Sequence, residues 1–166
     1  MNASCTLQLF ANGAWCDVGS VSLMGPEAQG WRSKTYTGYS VEWAIEHGGA
    51  RDAHAFACRF PVGLQAFEHP HWPVFLIDML PQGFGREELL RRLGLSVTAG
   101  ESVDWRLLLA GAGNSVGNLR VKEAASWLAA NAGPLRGFTD DEVAERGDDF
   151  AEFLASHGLF VGGSSG

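Results

Sequence analysis

No stretch of this 166-residue chain approaches the roughly 20 consecutive apolar residues that a bilayer-spanning helix needs. Its first residues also lack the basic region and long apolar run of a secretory leader. Cysteine is scarce: Cys5, Cys16 and Cys58 are odd in number and show no Cys-x-x-Cys spacing, which argues against both a disulfide framework and a zinc finger. Together these absences lead us to expect reduced thiols, no membrane partner and a cytoplasmic location. Positive charge is short as well, with 12 Lys and Arg against 19 Asp and Glu for a net charge of −7. Residues 140–152 carry seven acids against Arg146, so the remainder is close to neutral. A chain without a basic stripe is poorly suited to direct nucleic-acid binding.

What is present is the material of a packed fold. Hydrophobic residues make up 46% of the chain, including six Trp and ten Phe, and 22 Gly predict many tight turns. The length suits one domain, or one with a small part of a second. The first third reads as β-structure. Thr6–Phe10 and Trp15–Leu23 flank Asn12-Gly13, the dipeptide that supplies positive φ in a tight hairpin. Trp31–Tyr36 and Ala55–Phe60 are expected to be further strands, and Ser40 to cap a short helix through Val41, Trp43, Ala44 and Ile45, stopped by Gly48-Gly49.

From Pro73 the period changes. Val74–Leu80, apolar except for Asp78, predicts a short buried helix ended by Pro81. A second helix follows, opened by Glu87 and Glu88, closed by Arg91 and Arg92 and stopped at Gly94, with Leu89, Leu90 and Leu93 as its packing face. Ser102 can cap a third helix through Trp105, Leu107, Leu108 and Leu109, before a strand over Gly117–Val121. Ala124–Gly137, with Asn131, Gly133 and Pro134, reads as a boundary. Beyond it, Thr139 and Glu142 form a capping box, Phe138 and Val143 stand at staple positions, and Val143, Gly147, Phe150 and Leu154 share a stripe. Gly147 marks a kink or a close contact in that helix, and Gly158 its end.

Each candidate for chemistry has a plainer reading beside it. Gly111-Ala112-Gly113-Asn114-Ser115-Val116-Gly117 invites a phosphate loop, but such loops follow a strand and open a helix, and the nucleotide-triphosphate version adds a lysine. Here a helix precedes, a strand follows and Lys122 lies well beyond, so a helix-to-strand turn is expected. Glu68, His69 and His71 sit around Pro70 without a second ligand cluster, which favours a solvated loop over a metal site. Ser115, Asp104 and His157 lack a nucleophile elbow to join them. The acidic run from Asp140 to Glu152 reads as a solvated face, with a basic partner as the alternative. Trp15, Trp31, Trp43 and Trp72 read as core, and a small ligand-binding domain using the aromatics near Trp31 and Trp72 is the minor alternative. The terminal Leu159-Phe160-Val161, followed by Gly162-Gly163-Ser164-Ser165-Gly166, has the composition of an anion-cradling loop or of a flexible tail.

In order, the opening hairpin, "YSVEWAIEHG", "FLIDMLPQGFGREELLRRLG", "DWRLLLAGAGNSVGNLRV" and "FTDDEVAERGDDFAEFLASHGLFVGGSSG" resemble the N-terminal portion of HipA-like serine/threonine kinase toxins of type II toxin–antitoxin systems. The resemblance covers nearly the whole chain. It implies an α+β fold, with a small curved, mostly antiparallel sheet or partial barrel and packed helices. Residues 1–123 would form the accessory subdomain, 124–137 a linker, and 138–166 the start of the kinase N-lobe. Gly162, Gly163, Ser164, Ser165 and Gly166 would be the first half of the ATP-covering loop, with Ser165 the serine such kinases phosphorylate on themselves. The family's lysine and its catalytic and metal-binding aspartates lie downstream of this sequence, so the resemblance implies no catalytic residue, metal ligand or cofactor within it. ATP and magnesium would belong to the complete kinase. The implied partners are the kinase core, in the same or a separate chain, and a helix-turn-helix antitoxin through which DNA is contacted. A stand-alone interaction protein that restrains a separate kinase core is the other reading.

Overall fold

The computed structural model describes residues 3–97, 100–115, 117–133, 137–145 and 147–156. The chain is an α+β fold. β1 (Ser4–Ala11) and β2 (Ala14–Leu23) form the expected hairpin, turned by Asn12 and Gly13 at φ +52° and +81°. A 3-10 segment, Glu27–Arg32, precedes β3 (Thr35–Tyr39) and α1 (Val41–Glu46), and β4 (Phe67–His69) follows a long loop. Next come α2 (Val74–Asp78), α3 (Gly83–Leu93), α4 (Asp104–Gly111), β5 (Leu119–Val121) and α5 (Lys122–Asn131), then α6 (Asp140–Glu145) and α7 (Asp148–Ser156). The five strands make one antiparallel, unclosed sheet in the order β4-β3-β2-β1-β5, with a bulge between Leu7 and Gln8.

One face of the sheet carries the core. Cys5, Leu7, Leu9, Val18, Val21 and Leu23 point inward and meet Trp72, Leu76, Trp105, Leu108 and Ala124, all buried. A second cluster, Leu89, Leu107 and Ala110, joins α3 to α4. Among the described residues no helix is long and apolar enough to cross a membrane.

Local signals were obeyed where they were strong. The Ser40 hydroxyl accepts from Trp43 N–H at 3.2 Å. Thr139 and Glu142 exchange the capping-box bonds, at 2.8 Å and 3.3 Å. Gly94 ends α3 in the left-handed conformation. That helix begins four residues before Glu87, at Gly83.

Elsewhere packing decided otherwise. Trp31 and Arg32 belong to the 3-10 segment, and the strand begins only at Thr35. Ala55–Phe60 is a series of turns: β4 occupies the free edge of β3, so this stretch has no strand to pair with. The Tyr39 hydroxyl organises it instead, accepting from Phe56 N–H at 2.8 Å and donating to Phe60 C=O at 2.5 Å. Burial pushes that phenol up to about 12. α2 stops at Asp78 and buries one face only, with Leu76 inaccessible and Val74 exposed. Residues 124–131, which composition reads as a linker, are helix, seated on β1 and α4 through buried Ala124 and Leu128. The acidic stretch forms two helices where one was expected, and Phe138 packs edge-on against Phe150 and Phe153 at about 5 Å. Gly158 lies outside the described residues.

Candidate functional site

The glycine-rich 111–117 turn and the Pro81 hinge are parts of one arrangement. A Cβ on Gly111 would stand 2.4 Å from Pro81 Cγ, and one on Gly113 would stand 2.4 Å from the backbone nitrogen of Ala125 in α5. Absent side chains therefore let α4 seat on the hinge and α5 cross the turn. Between these contacts the chain runs beside β5. Val121 N–H donates to Ala112 C=O at 2.9 Å, and the Ser115 hydroxyl donates to Leu119 C=O at 2.7 Å. On the opposite side of β5 lies β1, where Phe10 N–H donates to Asn118 C=O. The turn thus satisfies the free edge of the sheet, where an unpaired strand would otherwise invite association. Above β5 the edge of β1 is closed by Glu123, whose carboxylate accepts from Thr6 N–H at 2.9 and 3.1 Å. Burial and then Glu123 push the Cys5 thiol up to about 12, so it is an inert core group.

The side chains considered for metal or hydrolytic chemistry are, where described, each engaged in contacts of their own. Glu68 pairs with Lys34 on the outer sheet face. His69 sits at the edge strand with a buried Nε2 and its ring against Phe60, and burial lowers its pKa, helped by His71. His71 Nδ1 lies 3.1 Å from Trp72 C=O. Asp104 is buried in α4, where it receives Arg86 Nη2 at 2.9 Å and Trp31 N–H at 3.3 Å, and so ties the 3-10 segment and α3 together. Ser115 is committed to β5, and His157 lies outside the described residues. Gly162, Gly163, Ser164, Ser165 and Gly166 also lie outside them.

The tryptophans divide. Trp43 and Trp72 are core; Trp31 is 40% exposed with Arg32 stacked on it, and Trp15 stands on the outer sheet face.

Three arrangements were not anticipated from sequence. Glu88 is buried within α3 and bonded by Arg91 and Arg92 at 2.7–3.0 Å, and Arg91 above all holds its carboxyl below the usual range. The i, i+3 and i, i+4 spacing of those residues was the available signal. His47 and His54 stack at 4.4 Å over Trp43, with His54 Nδ1 at 2.8 Å from Asp52, which fastens this loop to α1. Arg120 of β5 lies over the Trp15 ring at 4.0 Å and donates to Gln8 at 2.8 Å, and Gln8 in turn donates to Asp17 at 2.6 Å. The period-2 alternation of a strand over Thr6–Phe10 was the available signal for an outward Gln8, and nothing local signalled its cross-strand neighbours. Comparison of the chain with protein-family models, with curated proteins and with solved structures finds no match.

Proposed function

We propose that this chain is the N-terminal accessory portion of a HipA-like serine/threonine kinase toxin of a type II toxin–antitoxin system, without catalytic activity of its own. One observation carries the reading: the two stretches on which the resemblance is most specific, the Pro81 hinge and the 111–117 turn, meet at Gly111 and serve to seat helices and close a sheet edge. Motifs used in this way belong to a rigid support. Phosphoryl transfer rests on a positioned lysine, a catalytic base and bound metal ions. The resemblance assigns the family's lysine and aspartates to a region outside residues 1–166, and ATP and magnesium to the complete kinase. The support would be held by the kinase core and a helix-turn-helix antitoxin, with DNA reached through the antitoxin and residues 162–166 entering the ATP-covering loop.

The test supplies radiolabelled ATP and magnesium to residues 1–166 and, separately, to the product of the full reading frame, followed by site mapping. Phosphate should appear at Ser165 only where a kinase core is present. Labelling of Ser165 by residues 1–166 alone would overturn the proposal. A reading frame that stops at Gly166 would replace it with the stand-alone partner of a separate core.

A further inference from the structure

Among the described residues, the outer face of the sheet holds a cation without a carboxylate partner, Arg120. Directly paired residues in a sheet share a face, so the pairs Phe10–Trp15, Gln8–Asp17 and Gln8–Arg120 place five side chains together on the face opposite the core. Both oxygens of Asp17 are occupied, one by Gln8 Nε2 at 2.6 Å and the other by Lys122 Nζ at 2.5 Å. Among the described residues Arg120 donates only to the neutral amide oxygen of Gln8, at 2.8 Å, and pairs with no acid. Burial, with nothing to offset it, pulls its guanidinium down from the ordinary value. The group is also preorganised, since the Trp15 ring lies 4.0 Å below it and Phe10 packs edge-on to Trp15 at 5.4 Å while remaining 47% exposed.

We propose that this face is a docking site for a segment of a partner protein that presents a carboxylate beside an apolar side chain, with Arg120 holding the carboxylate and Phe10 and Trp15 receiving the apolar group. Asp17 is held by Gln8 and Lys122 and the neighbouring Glu123 by Thr6 N–H, which leaves the single charge of the Arg120 guanidinium without an acid partner among the described residues. One such charge matches a side-chain carboxylate better than a phosphate of about −1.5 to −2. Lys122 is already engaged, and the site is an open sheet face without backbone N–H groups converging on it, unlike a phosphate cradle. Arginine and tryptophan beside an exposed phenylalanine are the residue types that concentrate energy in protein interfaces. The surface stands whether or not the chain serves a kinase.

The test is a 15N NMR titration of the chain with acetyl-Leu-Glu-Leu-amide, with its Gln counterpart, and with inorganic phosphate. The Glu peptide should shift the Trp15 indole, Phe10 and Gln8 signals saturably. Binding should weaken about tenfold or more for the Gln peptide and for Arg120→Gln, the loss expected for one charge-assisted contact. Unchanged signals from the core would show that the variant is folded, and Phe10→Ala, altered at a half-exposed position, gives an independent loss of affinity. Equal responses to the two peptides, a response to phosphate as strong as to the Glu peptide, or no response at all would each overturn the proposal.

Discussion

Replacing Gly113 by alanine tests the claim that the glycine-rich turn exists to let α5 approach. The new Cβ would stand 2.4 Å from Ala125 N, 2.5 Å from Ala124 C and 2.6 Å from Ala125 Cα. Carbon atoms pack at about 3.5–4.0 Å, so the overlap is roughly an ångström. All three atoms are helix backbone and cannot rotate away. Either α5 retreats and loosens Ala124 and Leu128, or the turn lifts and releases the bonds that Ala112 and Ser115 make to β5. Overpacking of this kind costs about 1–3 kcal/mol, and each lost hydrogen bond about 1 kcal/mol more. We therefore expect a loss of about 3 kcal/mol, or a fall in Tm of about 6–12 °C for a chain of this size. Gly63→Ala is the control, because no atom lies within 4 Å of its added Cβ and its φ is not left-handed. It should be neutral or stabilise by up to about 1 kcal/mol. The assay is paired urea and thermal unfolding followed by far-ultraviolet circular dichroism. A Gly113→Ala loss within about 0.5 kcal/mol of the control would refute the close-approach reasoning.

Two further outcomes follow from burial. Leu76→Ala should cost about 2–5 kcal/mol, whereas Val74→Ala, two residues earlier in α2, should cost less than about 0.5 kcal/mol; equal losses in denaturant unfolding would show a helix buried on all sides. His69 is held below its ordinary 6.5 by burial and by His71, so below that value the unfolded chain takes up the proton more readily than the fold. Stability should accordingly fall as pH drops from about 6.5 towards the folded-state value and be flat above it, and His69→Gln should remove that loss; parallel pH profiles for the two proteins would contradict it.

At the turns and helix ends, where the deciding feature is a cap or a positive φ within a few residues, the sequence alone determined the outcome. Asn12-Gly13 specified the hairpin, Ser40 the start of α1, Gly94 the end of α3, and Thr139 with Glu142 the start of α6. The α+β class and the helix–turn–strand order around 111–117 were legible for the same reason. Only tertiary structure decided which apolar segments became strands. Ala55–Phe60 and Phe67–His69 compete for one free edge of β3, and Pro61 lies between them; the register Thr35–His69, Tyr36–Glu68 and Thr37–Phe67 gives that edge to the later and more polar stretch. Tertiary structure also buried Glu88 beside its two arginines, sent Trp15 outward while Trp43 and Trp72 went inward, and stacked Arg120 on Trp15 from a strand more than a hundred residues away. Burial and cross-strand pairing depend on what lies opposite a residue in space, which neither local propensity nor hydrophobic period encodes.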